Sequence, residues 1–88
     1  MVRVRCEPKA GGWVCEVTVD DRGKRTQHTV TVSRADLERW GGADAVEVLV
    51  TRSFEFLLQR ESAASILGRF DLSVIQRYFP DYDRLFRS

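Results

Sequence analysis

The sequence predicts an α+β domain: a three-stranded antiparallel β-meander in residues 1–32, packed against a long helix and short C-terminal helices in residues 33–88. Three observations carry this expectation. Apolar and polar residues alternate with period two through three segments separated by turn signals. The alternates of the second and third segments fall on one face when paired across their turn. Beyond residue 33 the apolar spacing lengthens to that of a helix, with capping residues before it and glycines after it.

The strands come first. Val2, Val4 and Cys6 alternate with Arg3 and Arg5, the period of a half-buried strand. Glu7 to Gly12 reads as a turn by composition. Trp13, Cys15, Val17 and Val19 then alternate with Val14, Glu16 and Thr18. Asp20 to Lys24 supplies a hairpin turn in which Gly23 is free to take positive φ. The returning strand, about Thr26 to Val32, sets His28, Val30 and Val32 against Gln27, Thr29 and Thr31.

Pairing Val19 with Thr26 places Val17 opposite His28, Cys15 opposite Val30 and Trp13 opposite Val32. Every apolar alternate then shares a side, and a slip of one residue would scatter them. A meander with one apolar face needs a cover.

The cover is expected from the helical half. Ser33 with Asp36 resembles an N-cap, and Gly41-Gly42 after Trp40 is a stop. Asp44 with Glu47 suggests a capping box for a long helix from Asp44 to about Arg60. Its residues Val46, Leu49, Val50, Phe54, Phe56, Leu57 and Leu58 cover more than half the circumference. The alternation of Val46, Val48 and Val50 leaves a fourth strand over Ala45 to Thr51 as the rival. Ser62 is then read as the cap of a short helix, Ala63 to Leu67, ended by Gly68. Asp71 is read as the cap of another, Leu72 to Phe79, stopped by Pro80. The last residues, DYDRLFRS, either add one turn or fray.

Composition narrows the function classes. One hydrophobic core is all that 88 residues sustain. Fourteen basic and thirteen acidic residues leave a net charge of +1, which gives no global attraction to nucleic acid or an anionic membrane. No apolar run approaches the roughly 18 residues of a membrane span. MVRVRCEPK has no uninterrupted apolar core, so no secretory signal is expected and a cytoplasmic location is. In a reducing cytoplasm Cys6 and Cys15, though able to approach across the first hairpin, are expected as free thiols.

No enzyme chemistry stands out, and no cofactor, metal or small-molecule substrate is expected. His28 and Cys15 lie on neighbouring strands of one face, but a nucleophilic pair needs a cleft and an orienting third group. Two cysteines and one histidine fall short of a zinc site. The carboxylates Asp81 and Asp83 match no calcium-loop spacing, and the glycine pairs match no phosphate loop.

Two binding readings remain. The last 19 residues hold five aromatics interleaved with arginines, the composition of an interface. Adjacent rings such as Tyr78 and Phe79 cannot both bury on one side of a helix, so Tyr78, Phe79, Tyr82 and Phe86 form the candidate interaction surface. Its expected partner is another protein or a second copy in a homodimer.

The alternative is a DNA-binding regulator. Within Ser65 to Tyr78, and including the preceding Ala64, the residues Ala64, Gly68 and Val74 have the spacing of a helix-turn-helix. Ser73, Gln76 and Arg77 would then face base edges. Against it, Asp71, Asp81 and Asp83 repel phosphates, and Arg69 and Arg77 occupy positions where such units bury apolar side chains.

The stretches FEFLLQRES and SILGRFDLSVIQRYFP, with the following DY, resemble small bacterial proteins of unknown function that share a SIL-RFDL-VI-RYFP ending. That resemblance covers about the C-terminal 40 residues. It implies a bacterial family and no activity or site residue.

Overall fold

The structure, a computed structural model, describes residues 1–87. Strands β1 (Val2–Lys9), β2 (Gly12–Asp21) and β3 (Lys24–Ser33) form the expected antiparallel meander. The register is the one the alternation demands, with Val19 opposite Thr26, Val17 opposite His28, Cys15 opposite Val30 and Trp13 opposite Val32. Arg22 (φ 53°) and Gly23 (φ 82°) make the second hairpin turn, both residues left-handed as a tight two-residue connection requires.

The first turn is shorter than composition suggests. Ala10 and Gly11 alone connect β1 to β2, and Glu7, Pro8 and Lys9 continue the strand. Pro8 is tolerated because β1 lies at the edge of the sheet. Gly12 is required by crowding, since a Cβ there would sit 2.1 Å from the Val32 carbonyl oxygen.

Cys6 lies directly opposite Cys15, and the two are joined in a disulfide. The expectation of free thiols is corrected: strand register brings the two side chains onto one face at closest approach.

The sheet has four strands, not three. A short strand β4 (Arg69–Asp71) runs parallel to β3, with Val30 opposite Phe70. Thr29 N–H donates to the Gly68 carbonyl at 2.8 Å, and Leu72 N–H donates to the Thr31 carbonyl at 2.9 Å. Thr31 Oγ1 adds a hydrogen bond to Asp71 Oδ1 at 2.6 Å. The free edge of β3 makes this segment a strand; the three residues have no strand signature of their own.

Ser33 caps the first helical segment as read, accepting from Asp36 N–H at 3.1 Å. Helix α1 (Arg34–Asp36) runs on as a π-turn, Leu37–Gly41, and stops at Gly42 with φ 58°. Helix α2 (Val46–Leu58) has 13 residues, about 20 Å of rise. It is helix, not strand, over Ala45 to Thr51 apart from its first flanking residue, but it is not the long Asp44–Arg60 element expected. Ala45 occupies the cap position and Asp44 instead pairs with Arg52 at 3.6 Å, so no capping box forms.

The expected helix Ala63–Leu67 is a single 3₁₀ turn, Ala63–Ser65, and Ser62 bonds Ser65 Oγ at 3.0 Å instead of capping. Gly68 is not left-handed; among the described residues the positive-φ glycines are Gly11, Gly23 and Gly42. Asp71 holds the turn after β4, its Oδ2 accepting from Ser73 N–H at 3.1 Å and Ser73 Oγ at 2.6 Å. Helix α3 (Val74–Tyr78) follows, and after Pro80 comes α4 (Asp81–Phe86). The core lies between the inward sheet face and α2, with Val17, Val19, Val30 and Val32 against Leu49, Val50 and Phe54. No helix among the described residues is long and apolar enough to cross a membrane.

Candidate functional site

The four aromatics expected at a surface separate sharply. Tyr82 is fully buried, so it leaves that surface and belongs to the core. Its ring packs edge-on against Trp40 and Phe56 and stacks on Phe86, centroids 4.3 Å apart. Its hydroxyl lies 2.7 Å from Ser53 Oγ, which donates its own hydrogen to the Leu49 carbonyl. Tyr82 is therefore the donor of that pair. Burial pushes the phenol far above its ordinary range.

Phe79 and Phe86 are half-buried, both edge-on to Phe56. Tyr78 stands clear, 68% exposed, and Leu67 beside it in space is 50% exposed.

Leu67 and Tyr78 form the lips of a groove of about 250 Å³. Leu57 from α2, Ile66 from the loop, Phe70 from β4 and Val74 from α3 make up its floor. The parallel pairing of β4 with β3 creates the groove, because it lifts Phe70 beside α2. Leu67 is fastened there by His28, whose Nδ1 lies 2.7 Å from the Leu67 carbonyl. A carbonyl only accepts, so Nδ1 carries the proton, and in the neutral ring Thr26 Oγ1 donates to Nε2 across 2.9 Å.

Glu61 is the one charged residue lining the groove. Partial burial raises its carboxyl above the usual range, and no cation among the described residues pairs with it. A groove of this volume falls below the roughly 300–1,000 Å³ of small-molecule sites.

The residues proposed to read DNA do not form the required unit. Strand β4 lies between Ala64 and Val74, where a helix-turn-helix has its turn and second helix start. Ser73 Oγ is bound to Asp71, and Gln76 and Arg77 sit on a helix of five residues. Asp71 is pushed up by burial, but hydrogen bonds from Ser73 and Thr31 outweigh that and hold it below the usual carboxylate range. It stays negative beside the residues that would meet phosphate.

The Cys–His pairing is also absent, since the Cys15 sulfur is bonded to Cys6. Among the described residues no three His, Cys, Asp or Glu side chains are placed to hold a metal ion.

Comparison with protein-family models, with curated proteins and with solved structures finds no match. The site stands on its own geometry. Sequence reasoning places Tyr78 among four candidate surface aromatics, of which it alone is exposed, and does not name Leu67, Ile66 or Glu61. The signal was the consecutive apolar pair Ile66-Leu67 before Gly68, which a one-sided helical turn cannot bury whole.

Proposed function

We propose that this chain is a non-catalytic protein-interaction module whose contact surface is the groove between α2, β4 and α3. The observation that carries the reading is the pair Leu67 and Tyr78, two large exposed side chains flanking one apolar cleft. The other exposed large apolar residues, Met1, Val48 and Leu85, do not line this cleft. Solitary exposed apolar residues need no explanation; two that share a concave apolar floor do.

The occupant that fits is a segment of another protein presenting one or two bulky apolar side chains next to a lysine or arginine. The apolar chains displace water from the floor, and the cation meets the unpaired Glu61 carboxylate. No observation favours DNA over protein as the partner.

The test is selection of a random peptide display library on the folded chain. The expected peptides carry a large apolar residue flanked by Lys or Arg, and they lose binding to Leu67→Asp and weaken on Glu61→Gln. Peptides that bind Leu67→Asp as well as the original chain, or a selection that enriches no sequence, would overturn the reading. Both substitutions lie at exposed or partly exposed positions, so circular dichroism should show an intact fold.

A further inference from the structure

The sheet leaves one long edge open. β1, eight residues, is bonded only to β2. In an antiparallel pair, successive residues alternate between facing the partner strand and facing away with their backbone N–H and C=O groups. Here the phase is set by Met1, which exchanges two bonds with Asp20: its amino group donates to the Asp20 carbonyl at 2.7 Å, and Asp20 N–H donates to the Met1 carbonyl at 2.8 Å. Arg3, Arg5, Glu7 and Lys9 therefore face β2, while Val2, Val4, Cys6 and Pro8 face outward. The close Cα separation of Cys6 and Cys15, 4.0 Å, agrees, since non-hydrogen-bonded pairs are the closer ones. Pro8, with no N–H to give, also falls in the outward set.

We infer that β1 pairs antiparallel with β1 of a second copy of this chain, about a two-fold axis at Arg5. In that register Val4 and Cys6 of the second copy exchange both backbone hydrogen bonds, and Val2 N–H donates to the Pro8 carbonyl of the second copy. The missing proline donor costs one bond at each end and none in the centre.

The side chains select this register. On the solvent face Arg3 stands opposite Glu7 of the second copy, twice by symmetry. Arg5 meets its own symmetry mate, and each Arg5 has Glu16 of its own β2 on the other flank. Moving the pairing by two residues one way sets Arg3 against Arg5, twice by symmetry. The other way sets Arg5 against Glu7 but also Arg3 against Lys9. Like charges thus meet at two pairs in either shifted register and at one, Arg5 with its mate, in the register inferred. Arginine and proline on an edge usually discourage pairing with foreign strands. Arg3 and Glu7 are complementary across the axis, and Glu16 of each chain lies beside its Arg5, so the charges that repel other edges admit this one. Val2, Val4 and Cys6, half-buried in the single chain, gain cover on the inward face.

The inference is independent of the groove, which lies by β4 at the other edge of the sheet. It is tested by sedimentation equilibrium of the full chain at low salt. The expected species is a dimer. Arg3→Glu and Glu7→Arg should each weaken it by roughly tenfold in dissociation constant, because attraction becomes repulsion at both symmetric pairs. The double variant, Arg3→Glu with Glu7→Arg, should restore it, since the complementary pair is re-formed with its signs exchanged. Both positions are exposed, and circular dichroism reports whether each variant remains folded. A monomer at high concentration, or a dimer indifferent to the charge swaps, overturns the inference. A dimer that ignores the swaps but dissolves on Leu67→Asp assigns self-association to the groove instead.

Discussion

At the scale of single residues, the Tyr82 hydroxyl shows how a side chain suited to an interface can serve a core. Composition alone places it with Tyr78, Phe79 and Phe86, because aromatic and arginine residues alternate through this tail. What separates them is position: Tyr82 and Phe86 stand four residues apart on one helix, so both rings face inward together. The buried hydroxyl then needs a partner, and Ser53 supplies it while also bonding the Leu49 carbonyl. These two hydrogen bonds are not equivalent on removal. Tyr82→Phe leaves Ser53 still bonded to Leu49, and should cost about 0.5–1.5 kcal/mol, the net worth of a typical hydrogen bond. Ser53→Ala leaves a buried phenol donor with nothing to receive its hydrogen, a penalty of about 1–3 kcal/mol. Urea unfolding of the two variants should therefore rank Ser53→Ala as the more destabilised. The opposite ranking would mean that the tyrosine hydroxyl finds another acceptor.

At the scale of elements, the meander was legible and β4 was not, for a physical reason. β2 and β3 carry their own instructions: period-two alternation, a left-handed pair at Arg22-Gly23, and one register in which every apolar residue shares a face. β4 is three residues whose extended form depends on the open edge of β3, a partner some 40 positions away. Asp71, whose place before Leu72 suggests a helix cap, does accept from the Ser73 N–H, but it closes a turn after a strand. The groove was hidden for the same reason, since its walls meet only once β4 has docked. The disulfide shows the limit from the other side. The first hairpin placed Cys6 near Cys15, and only the assumption of a reducing compartment argued against a bond. The closed loop is short, with a sequence separation of 9, so reduction should lower stability by about 2–3 kcal/mol without dissolving the hairpin. Urea unfolding with and without a dithiol reductant measures that loss. Blocking free thiols at the moment of lysis and weighing the chain tests the cytoplasmic expectation, because a chain held in a reducing cytosol should carry two alkyl groups and an oxidised one none.

At the scale of the whole molecule, the sheet is closed by a tail that its own sequence left undecided between a turn and a frayed end. α4 is fixed at several independent points. Trp40 Nε1 donates to Asp83 at 2.8 Å, Arg60 pairs with Asp81 at 2.8 Å, and Tyr82 fills the space between Trp40 and Phe56. The Trp40 hydrogen bond, followed by the Arg87 pairing, holds the Asp83 carboxyl below its usual range. Sheet and α2 alone would leave Trp40, one of the largest fully buried side chains, facing water on this flank. A chain ending at Phe79 should therefore lose far more than a surface turn. Truncating a buried aromatic costs about 3–5 kcal/mol, and Tyr82, Phe86 and the cover over Trp40 would go together. Small domains hold only about 5–15 kcal/mol in all. The shortened chain should unfold without a cooperative transition, lose the near-ultraviolet signature of an ordered Trp40, and bind a hydrophobic dye. Retention of the parent's thermal midpoint would show that the sheet and α2 close the core without α4. Loss of it makes the tail part of the fold.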